Sequence, residues 1–234
     1  MIEIRHLTQT FGNKKALDDV NLKLEKGGII GLIGPNGSGK STIIRSVMGI
    51  LKPTAGEVFV DGKKVTRTIS KRIAYMADIN ELYLPTVKDN IDYFTNIYKD
   101  YDKNMVMEII NSLQIDLNMD AKGLSKGQTI IIRFALTVAR DVDYYIFDEP
   151  LSGLDPVFRD SFINRLTNYR KNNPHKTIII TSHMLKEIQG LLDEVIAIYF
   201  AKILAHDKKE NILRETDDLE TWFKEQYVKA GITF

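Results

Sequence analysis

The residues with the most evident chemistry lie in a glycine-rich segment at 34–42, which reads GPNGSGKST. It matches the pattern G-x-x-x-x-G-K-[ST], in which the glycines let successive backbone N–H groups turn inward toward phosphate oxygens. An apolar run at 29–33 precedes the segment, and apolar residues at helical spacing follow it. A helix that begins here would add the positive potential of its amino end. The segment therefore predicts a site for the phosphates of a nucleotide.

The residue types within this segment have separate roles in that chemistry. Lys40 would reach the β- and γ-phosphates, and the hydroxyl of Ser41 would coordinate Mg²⁺. A chance glycine-rich turn is the alternative, but the strand and helix patterns on either side favour a nucleotide site. The residues predicted to bind the nucleotide here are Gly34, Asn36, Gly37, Ser38, Gly39, Lys40, Ser41 and Thr42.

Two neighbouring acids, Asp148 and Glu149, follow an apolar run at 144–147. Asp148 would stand at the carboxyl edge of that strand, where it could hold Mg²⁺, and Glu149 could polarise a water toward the γ-phosphate. Acids are also common at solvated strand ends, so this signal alone is only moderate. His183 follows another apolar run, at 177–181, and open α/β sheets bind their ligands at this same edge. That placement makes His183 the strongest candidate among the four histidines.

The elements that would position these residues are short apolar runs separated by helical patterns. Several runs are nearly continuous rather than alternating, which is typical of strands buried on both faces of a parallel sheet. Strands that alternate with helices predict an α/β fold, and the strand-free region from about 86 to 117 suggests a helical insertion. The apolar runs lie at 29–33, 57–60, 72–76, 144–147, 177–181 and 195–200.

Composition excludes several classes of protein. The chain has 234 residues, a size that one large α/β domain can reach. Its 32 basic and 31 acidic residues give a formal charge of +1, which argues against a nucleic-acid-coating protein. It has no cysteine, so it forms no disulfide framework and no thiolate metal site. The longest apolar stretch, 195–205, is interrupted by Lys202 and falls short of the roughly 20 residues that span a bilayer, so a partner would supply any membrane part.

Further motifs make the chain resemble the ATP-binding subunit of ABC transporters over roughly its first 205 residues. The segment LSKGQ at 124–128 resembles the signature motif, which separates this family from other phosphate-loop enzymes. The segment SGLD at 152–155 resembles the D-loop, and Phe11 resembles the aromatic residue that stacks on adenine. His183 corresponds to the switch histidine.

The resemblance implies a fold and a division of the chain. The expected fold is α/β, with a P-loop NTPase core and a mainly parallel sheet, an N-terminal antiparallel β subdomain, and a helical subdomain that carries the signature motif. An ATPase domain would cover 1–205, with the helical subdomain at about 86–135. A short C-terminal tail would cover 206–234, as a helix packed on the domain or, alternatively, as a regulatory or partner-binding segment.

The resemblance also implies roles for the candidate residues. ATP and Mg²⁺ would be the cofactors, with Lys40, Glu149 as general base and His183 as γ-phosphate sensor forming the catalytic set. In this family two ATPase domains dimerise head to tail, so Ser125, Gly127 and Gln128 would contact the ATP of the partner subunit. Asp155 would link the two subunits across the dimer.

Two positions depart from the family pattern. Lys126 occupies a position where the signature motif usually has glycine, and an outward, solvated side chain is favoured over one that adds charge near the phosphate. Asp78 stands where the family has the glutamine of its Q-loop, and an ionised carboxylate accepts hydrogen bonds but donates none. The predicted metal ligands are Ser41, Asp78 and Asp148.

The leading hypothesis for function is an ATPase subunit that drives transport through a separately encoded integral-membrane permease. Export of a peptide, drug or lipid-like cargo is favoured because the tail is short. The subunit would then be cytoplasmic and peripheral on the inner face of the cell membrane, as an ATP-dependent dimer with itself or a related subunit, with no nucleic acid as partner. The alternatives are a soluble ABC-type ATPase without a permease and a nucleotide-binding signalling switch.

Overall fold

A computed structural model describes residues 1–66, 69 and 71–232. Within this part of the chain, two sheets and a helical region surround the predicted phosphate loop. The elements in chain order are β1 (Ile2–Phe11), β2 (Lys14–Leu24), β3 (Gly28–Ile33), α1 (Lys40–Val47), β4 (Ala55–Val60), β5 (Lys63–Lys64), β6 (Ile73–Met76), α2 (Val87–Ile97), α3 (Lys103–Ser112), α4 (Lys126–Val138), β7 (Tyr144–Asp148), α5 (Pro156–Asn172), β8 (Thr177–Ser182), α6 (Leu185–Ile188), β9 (Glu194–Tyr199), β10 (Lys202–Lys208), α7 (Lys209–Glu215) and α8 (Leu219–Lys229).

The larger sheet has six strands in the order β10-β9-β3-β8-β7-β6. All its neighbours pair in parallel except β10, which runs antiparallel to β9. Every residue of β7 and β8 is buried, because helices cover one face of the sheet centre and α1 with the smaller sheet covers the other. Since parallel strands end at one edge, the phosphate loop after β3, the acids after β7 and His183 after β8 all lie at the carboxyl edge. The predicted mainly parallel α/β core is confirmed.

The smaller sheet is antiparallel, with strand order β2-β1-β4-β5. Ile4 pairs with Leu22 on one side and with Val58 on the other, which fixes the register of its three long strands. This sheet is the predicted N-terminal β subdomain. One of the six apolar runs, residues 57–60, lies here as part of β4 and not in the parallel sheet.

Helices α2, α3 and α4 form a separate hydrophobic cluster beside the main sheet. Val87 and Ile91 of α2 and Val106 and Ile110 of α3 are fully buried against the apolar residues of α4. Thr86 caps α2 through a reciprocal pair of hydrogen bonds with Asp89, which stabilises the start of this helical region. The same cluster includes α4, so the packing sets the direction in which the amino end of α4 points.

The C-terminal segment packs against the core of the larger sheet. Strand β10 continues to Lys208 and leads directly into α7 and α8. Ile212, Leu219 and Trp222 are buried in the same cluster as the main sheet, and the ring of Tyr227 lies 4.7 Å from that of Tyr199. Within residues 1–66, 69 and 71–232, none of the helices has the length and apolar character needed to cross a bilayer.

Candidate functional site

The phosphate loop connects β3 to α1 through a backbone that only glycine adopts easily. Gly39, the residue before α1, has a φ of 117°, and a Cβ there would lie 2.7 Å from the carbonyl oxygen of Ala16. No side chain caps the amino end of α1. The first N–H groups of a helix have no partners within the helix, so they remain available to an anion. The loop geometry therefore suits the phosphate role that the sequence predicts.

Lys40 extends along this loop and is almost completely buried, with a side chain that is 5% exposed. Its Nζ donates hydrogen bonds to the carbonyl oxygens of Gly34 at 2.7 Å and Pro35 at 3.2 Å. The same Nζ lies 3.0 Å from Oε1 of Glu149, an ion pair in which Oε1 accepts no well-aligned hydrogen bond. The ammonium group thus connects the phosphate loop to the end of β7.

Asp148 is buried at the end of β7 and accepts three hydrogen bonds. The hydroxyl of Thr181 donates to Oδ1 at 2.6 Å, the hydroxyl of Ser41 donates to Oδ1 at 3.4 Å, and the phenol of Tyr75 donates to Oδ2 at 3.2 Å. Burial raises the pKa of Tyr75, and the Asp148 carboxylate raises it further, so the phenol keeps its proton at neutral pH. These contacts fix the carboxylate next to Ser41.

Glu149 turns away from β7 with a φ of 48° and faces His183. Its backbone N–H donates to the Thr181 hydroxyl at 2.8 Å, and its Oε2 lies 2.8 Å from Nδ1 of His183. Because an ionised carboxylate only accepts hydrogen bonds, Nδ1 carries the proton in this contact, and Nε2 is left for another partner. The structure therefore brings Lys40, Glu149 and His183 together, as the sequence predicts.

The oxygens of Ser41 and Asp148 fit a magnesium ion. Mg²⁺ prefers hard oxygen ligands and in nucleotide sites takes one or two protein oxygens together with phosphates and waters. The Ser41 hydroxyl and the Asp148 carboxylate are hydrogen-bonded to each other, next to the amino end of α1, where the phosphate loop ends. No cluster of three or more acids and histidines that could hold a metal occurs in the described residues, so any such ion would depend on the nucleotide for its remaining ligands.

Asp78 lies in the loop after β6 and is exposed. Partial burial raises the pKa of its carboxyl group, and the charges of Asp148 and Glu149 raise it further, whereas Lys126 and Arg133 oppose the shift. None of the residues at 1–66, 69 and 71–232 forms an ion pair with Asp78. Its connection to the acidic edge is therefore electrostatic, and its predicted role as a metal ligand stays a prediction.

The residues of the signature-like motif lie at the amino end of α4. Ser125 and Gln128 cap the helix reciprocally, with the Gln128 N–H on Ser125 Oγ at 3.2 Å and the Ser125 N–H on Gln128 Oε1 at 2.9 Å. A Cβ on Gly127 would lie 2.1 Å from the ring of Phe158, so only glycine permits this contact between α4 and α5. No hydrogen bond among the described residues joins this motif to the phosphate loop of the same chain.

Lys126 is exposed, but its ammonium lies against the neighbouring loop. A Cβ on Gly153 would lie 2.5 Å from Lys126 Nζ, so the side chain crosses the segment at 152–155. Asp155 in that segment caps α5 by accepting hydrogen bonds from the N–H groups of Val157 and Phe158. The positive charge of Lys126 also opposes the rise in the pKa of Asp78.

Phe11 ends β1 with its ring 51% exposed, and we expect it to stack on adenine. Such a contact contributes about 1–2 kcal/mol, so Phe11→Ala should weaken ATP affinity roughly tenfold and leave the saturated turnover rate nearly unchanged. Tyr93→Ala, a control with 46% exposure in α2, should leave both quantities unchanged. ATP titration and steady-state kinetics measure them. An unchanged ATP affinity in folded Phe11→Ala protein would exclude the stacking role.

Sequence reasoning missed three residues that organise the site. Thr181 holds both Asp148 and the backbone of Glu149, Tyr75 supports Asp148, and the guanidinium of Arg133 donates to the carbonyl of Ala77 at 2.7 Å. A hydroxyl at the end of the otherwise apolar run at 177–181 was a signal for Thr181. Tyr75 and Arg133 follow an apolar pattern in sequence, and only the packing shows where their polar atoms point.

The parallel sheet, the phosphate loop and the acids at its carboxyl edge define a P-loop ATPase. A protein-family model described as "ABC transporter" matches residues 17–152, which is more than half of the chain. The chain belongs to the ABC transporter family, as its ATP-binding and ATP-hydrolysing subunit.

Several relatives match over most of their length. The ABC transporter ATP-binding protein NatA of Bacillus subtilis is 30% identical, with 98% of this chain and 99% of NatA covered. The bacitracin transport ATP-binding protein BcrA of Bacillus licheniformis is 31% identical, with 90% of this chain and 72% of BcrA covered. A probable branched-chain amino acid transport protein, LivG of Archaeoglobus fulgidus, is 27% identical over 99% of both chains. The relatives are therefore not all named for the same cargo.

Solved structures of the same fold include a dimeric ATP-binding cassette. The cassette MJ0796, in a post-hydrolysis state bound to ADP and Pi, superimposes with a TM-score of 0.76 over 89% of this chain and 98% of its own, at 22% identity. At this identity the likeness concerns the fold. It confirms the predicted cassette architecture.

Proposed function

We propose that two copies of this chain, or this chain and a related subunit, bind ATP head to tail and drive export through a separately encoded permease. The observation that carries the dimer is the separation of two half-sites within one chain. Lys40, Glu149 and His183 meet at the carboxyl edge, whereas Ser125 and Gln128 cap the start of α4, and no hydrogen bond among the described residues joins them to the phosphate loop. A second subunit would place its own α4 amino end over the phosphates.

The chain's own residues would divide the work of hydrolysis. The N–H groups of the loop at 34–42 and the Lys40 ammonium would hold the phosphates, while Ser41 and Asp148 would hold Mg²⁺, which neutralises the developing phosphate charge. Glu149 would accept the proton of the attacking water. His183 contacts the Glu149 carboxylate through Nδ1, and its Nε2 would sense the γ-phosphate. Ser125, Gly127 and Gln128 would complete the site from the partner subunit.

Export is the direction that we favour, with a peptide, drug or lipid-like cargo. The similarity to a protein named for bacitracin transport supports it. On this proposal the subunit is cytoplasmic and binds the inner face of the cell membrane through the permease.

Purification and reconstitution test this proposal. The tagged chain should co-purify in detergent with an integral-membrane protein that has several apolar segments of about 20 residues. In vesicles with the chain and ATP outside, cargo should accumulate inside, away from the ATP. Movement of cargo toward the ATP side would contradict export, and a chain that hydrolyses ATP without any membrane partner would support the alternative of a soluble ABC-type ATPase.

Asp78 should act through the water shell of the metal and not by direct contact with the γ-phosphate. Asp78→Asn removes the charge near Asp148 and Glu149, so we expect lower Mg²⁺-dependent hydrolysis with Mg²⁺-free nucleotide binding nearly unchanged. Asp78→Gln should restore much of the activity if the loop accepts the longer side chain. ATP affinity and turnover across a magnesium titration measure both variants, with Asp92→Asn on the surface of α2 as a control.

One result of the magnesium titration would contradict this role of Asp78. An unchanged magnesium dependence in Asp78→Asn, with turnover equal to that of Asp92→Asn, would mean that Asp78 is a solvated loop residue. In that case only Ser41 and Asp148 would remain as protein ligands for the metal.

A further inference from the structure

Arg133, in the middle of α4, is a buried cation without a matching anion. Arg133 is only 2% exposed, and no acid among the described residues lies within ion-pair distance of its guanidinium. Nη2 donates to the carbonyl oxygen of Ala77 at 2.7 Å, but Nη1 has no hydrogen-bond partner among the described residues. Burying a charge with an unused donor costs stability, and such costs persist mainly where function requires them.

Arg133 bonds to Ala77 at one end of the loop at 77–83 and lines the same cavity as Tyr83 at the other end. Burial lowers the pKa of the guanidinium, and the Tyr83 hydroxyl and the Asp78 carboxylate oppose that change, so both groups interact with it. At the far end, the N–H groups of Tyr83 and Leu84 donate to the buried amide oxygen of Asn90 in α2. The loop is therefore held at its ends by polar contacts with the helical region.

Packing holds the middle of this loop only weakly. Residues 78–81 are exposed, including 43% of Ile79. A cavity of about 180 Å³ lies on the inner side, between the strand end and helices α2 and α4, and Tyr75, Tyr83 and Phe94 contribute to its wall. Leu82 and the ring of Tyr83 pack on the helical region at the far end of the loop, whereas the hydrogen bond from Arg133 to the carbonyl of Ala77 holds the near end.

We infer that Arg133 is a positioning residue for ATP hydrolysis, which holds the loop at 77–83 in a fixed place relative to the carboxyl edge. Helix α4 carries Arg133 near its middle and Ser125 at its amino end, so the same rigid element controls both the Asp78 loop and the signature-like motif. This inference rests on the proposed roles of Asp78 and Ser125 in the ATP site. It requires no contact between Arg133 and the nucleotide.

Kinetics and thermal unfolding of Arg133→Met separate this role from a purely structural one. Methionine keeps the unbranched apolar stem but removes every donor, so the loop should lose its fixed position while the core stays packed. We expect a melting temperature equal to or above that of the wild type, since a buried unpaired charge has been removed. We expect kcat to fall roughly tenfold with KM for ATP within about twofold, because misplacement of a loop near the chemistry mainly affects the reacting geometry.

Two further variants show which polar contacts of Arg133 affect kcat. Arg133→Lys keeps a charge that can reach Ala77, so it should recover a large part of kcat, and Tyr83→Phe should lower kcat by a smaller factor than Arg133→Met. The control is Arg140→Met, two residues beyond the end of α4. Arg140 forms an ion pair with Asp100 at 2.9 Å instead of a bond to Ala77, so its loss should lower the melting temperature but leave the kcat of the folded protein near that of the wild type.

The outcomes distinguish the inference from the proposed function. A wild-type kcat in folded Arg133→Met, or a lower melting temperature with no change in kcat, would overturn the positioning role. If Arg133→Met does not fold, a wild-type kcat in Tyr83→Phe would overturn it equally. The proposed transport function is tested separately by the membrane reconstitution of the wild-type chain, which does not depend on any Arg133 variant.

Discussion

Glu149→Gln should bind ATP and fail to hydrolyse it. The amide keeps the shape of the side chain but cannot accept the proton of the attacking water, and loss of a general base typically lowers the rate by roughly 10²–10⁴-fold. The amide must also turn its NH₂ group toward the Lys40 ammonium or toward His183, both of which now face a carboxylate oxygen. Steady-state turnover and size-exclusion chromatography with ATP measure the effect, and more dimer than in the wild type should accumulate.

Glu187→Gln is the matched control for this prediction. The Glu187 carboxylate is 9% exposed and paired with Arg159, compared with 10% exposure for Glu149, so the two substitutions disturb similarly buried ion pairs. We expect Glu187→Gln to keep turnover within about twofold of the wild type, because it lies outside the carboxyl edge. Near-wild-type hydrolysis in Glu149→Gln would remove Glu149 from the role of base.

Lys40→Met should lose both tight nucleotide binding and turnover. The substitution removes the only positive side chain that contacts Gly34 and Pro35 within the described loop, and it leaves the Glu149 carboxylate without its cation. Removal of one charge-stabilising group from a preorganised site typically lowers kcat by roughly 10²–10³-fold, and weaker phosphate binding should add a loss of ATP affinity. Calorimetric titration with ATP and turnover measurements check both parts.

Lys176→Met provides the comparison for Lys40→Met. The Lys176 side chain is 7% exposed and ion-paired with Asp141 at 2.6 Å, whereas Lys40 is 5% exposed. Both variants remove a similarly buried lysine that faces an acid, but Lys176 lies at the opposite end of β8 from His183. We expect Lys176→Met to bind and hydrolyse ATP as the wild type does. Equal losses in the two variants would show that the effect of Lys40→Met is a general loss of stability.

Much of the site could be predicted because its strongest signals are local in sequence. The spacing within 34–42 encodes the loop by itself, since glycine at 39 permits a left-handed backbone and the helix begins at the next residue, Lys40. The apolar runs predict the strands of the parallel sheet for a similar reason. A strand that is buried on both faces is apolar at nearly every position, so it is visible as a continuous run in the sequence. Once five parallel strands are assumed, their carboxyl ends must meet at one edge, which places Asp148, Glu149 and His183 together.

The sequence could not predict how the departures from the family pattern are accommodated. The sequence analysis favours an outward, solvated Lys126, and the side chain is exposed. Its contact with Gly153, however, depends on how α4 packs on α5. The position of Asp78 depends on Arg133, which bonds to the carbonyl of the preceding residue, Ala77. Arg133 and Ala77 are 56 residues apart along the chain, a separation that no local sequence pattern covers. No periodicity reports a contact of this kind.

The sequence by itself therefore determined the class of fold, the phosphate loop and the identities of the residues at the carboxyl edge. These follow from backbone preferences and apolar spacing, which act over a few residues. Only the tertiary structure decided that residues 57–60 join the antiparallel sheet, that Thr181 bridges Asp148 and Glu149, and that Arg133 holds the Asp78 loop. Each of these depends on pairing or packing between distant segments, whose free energy is gained only when the whole chain has folded.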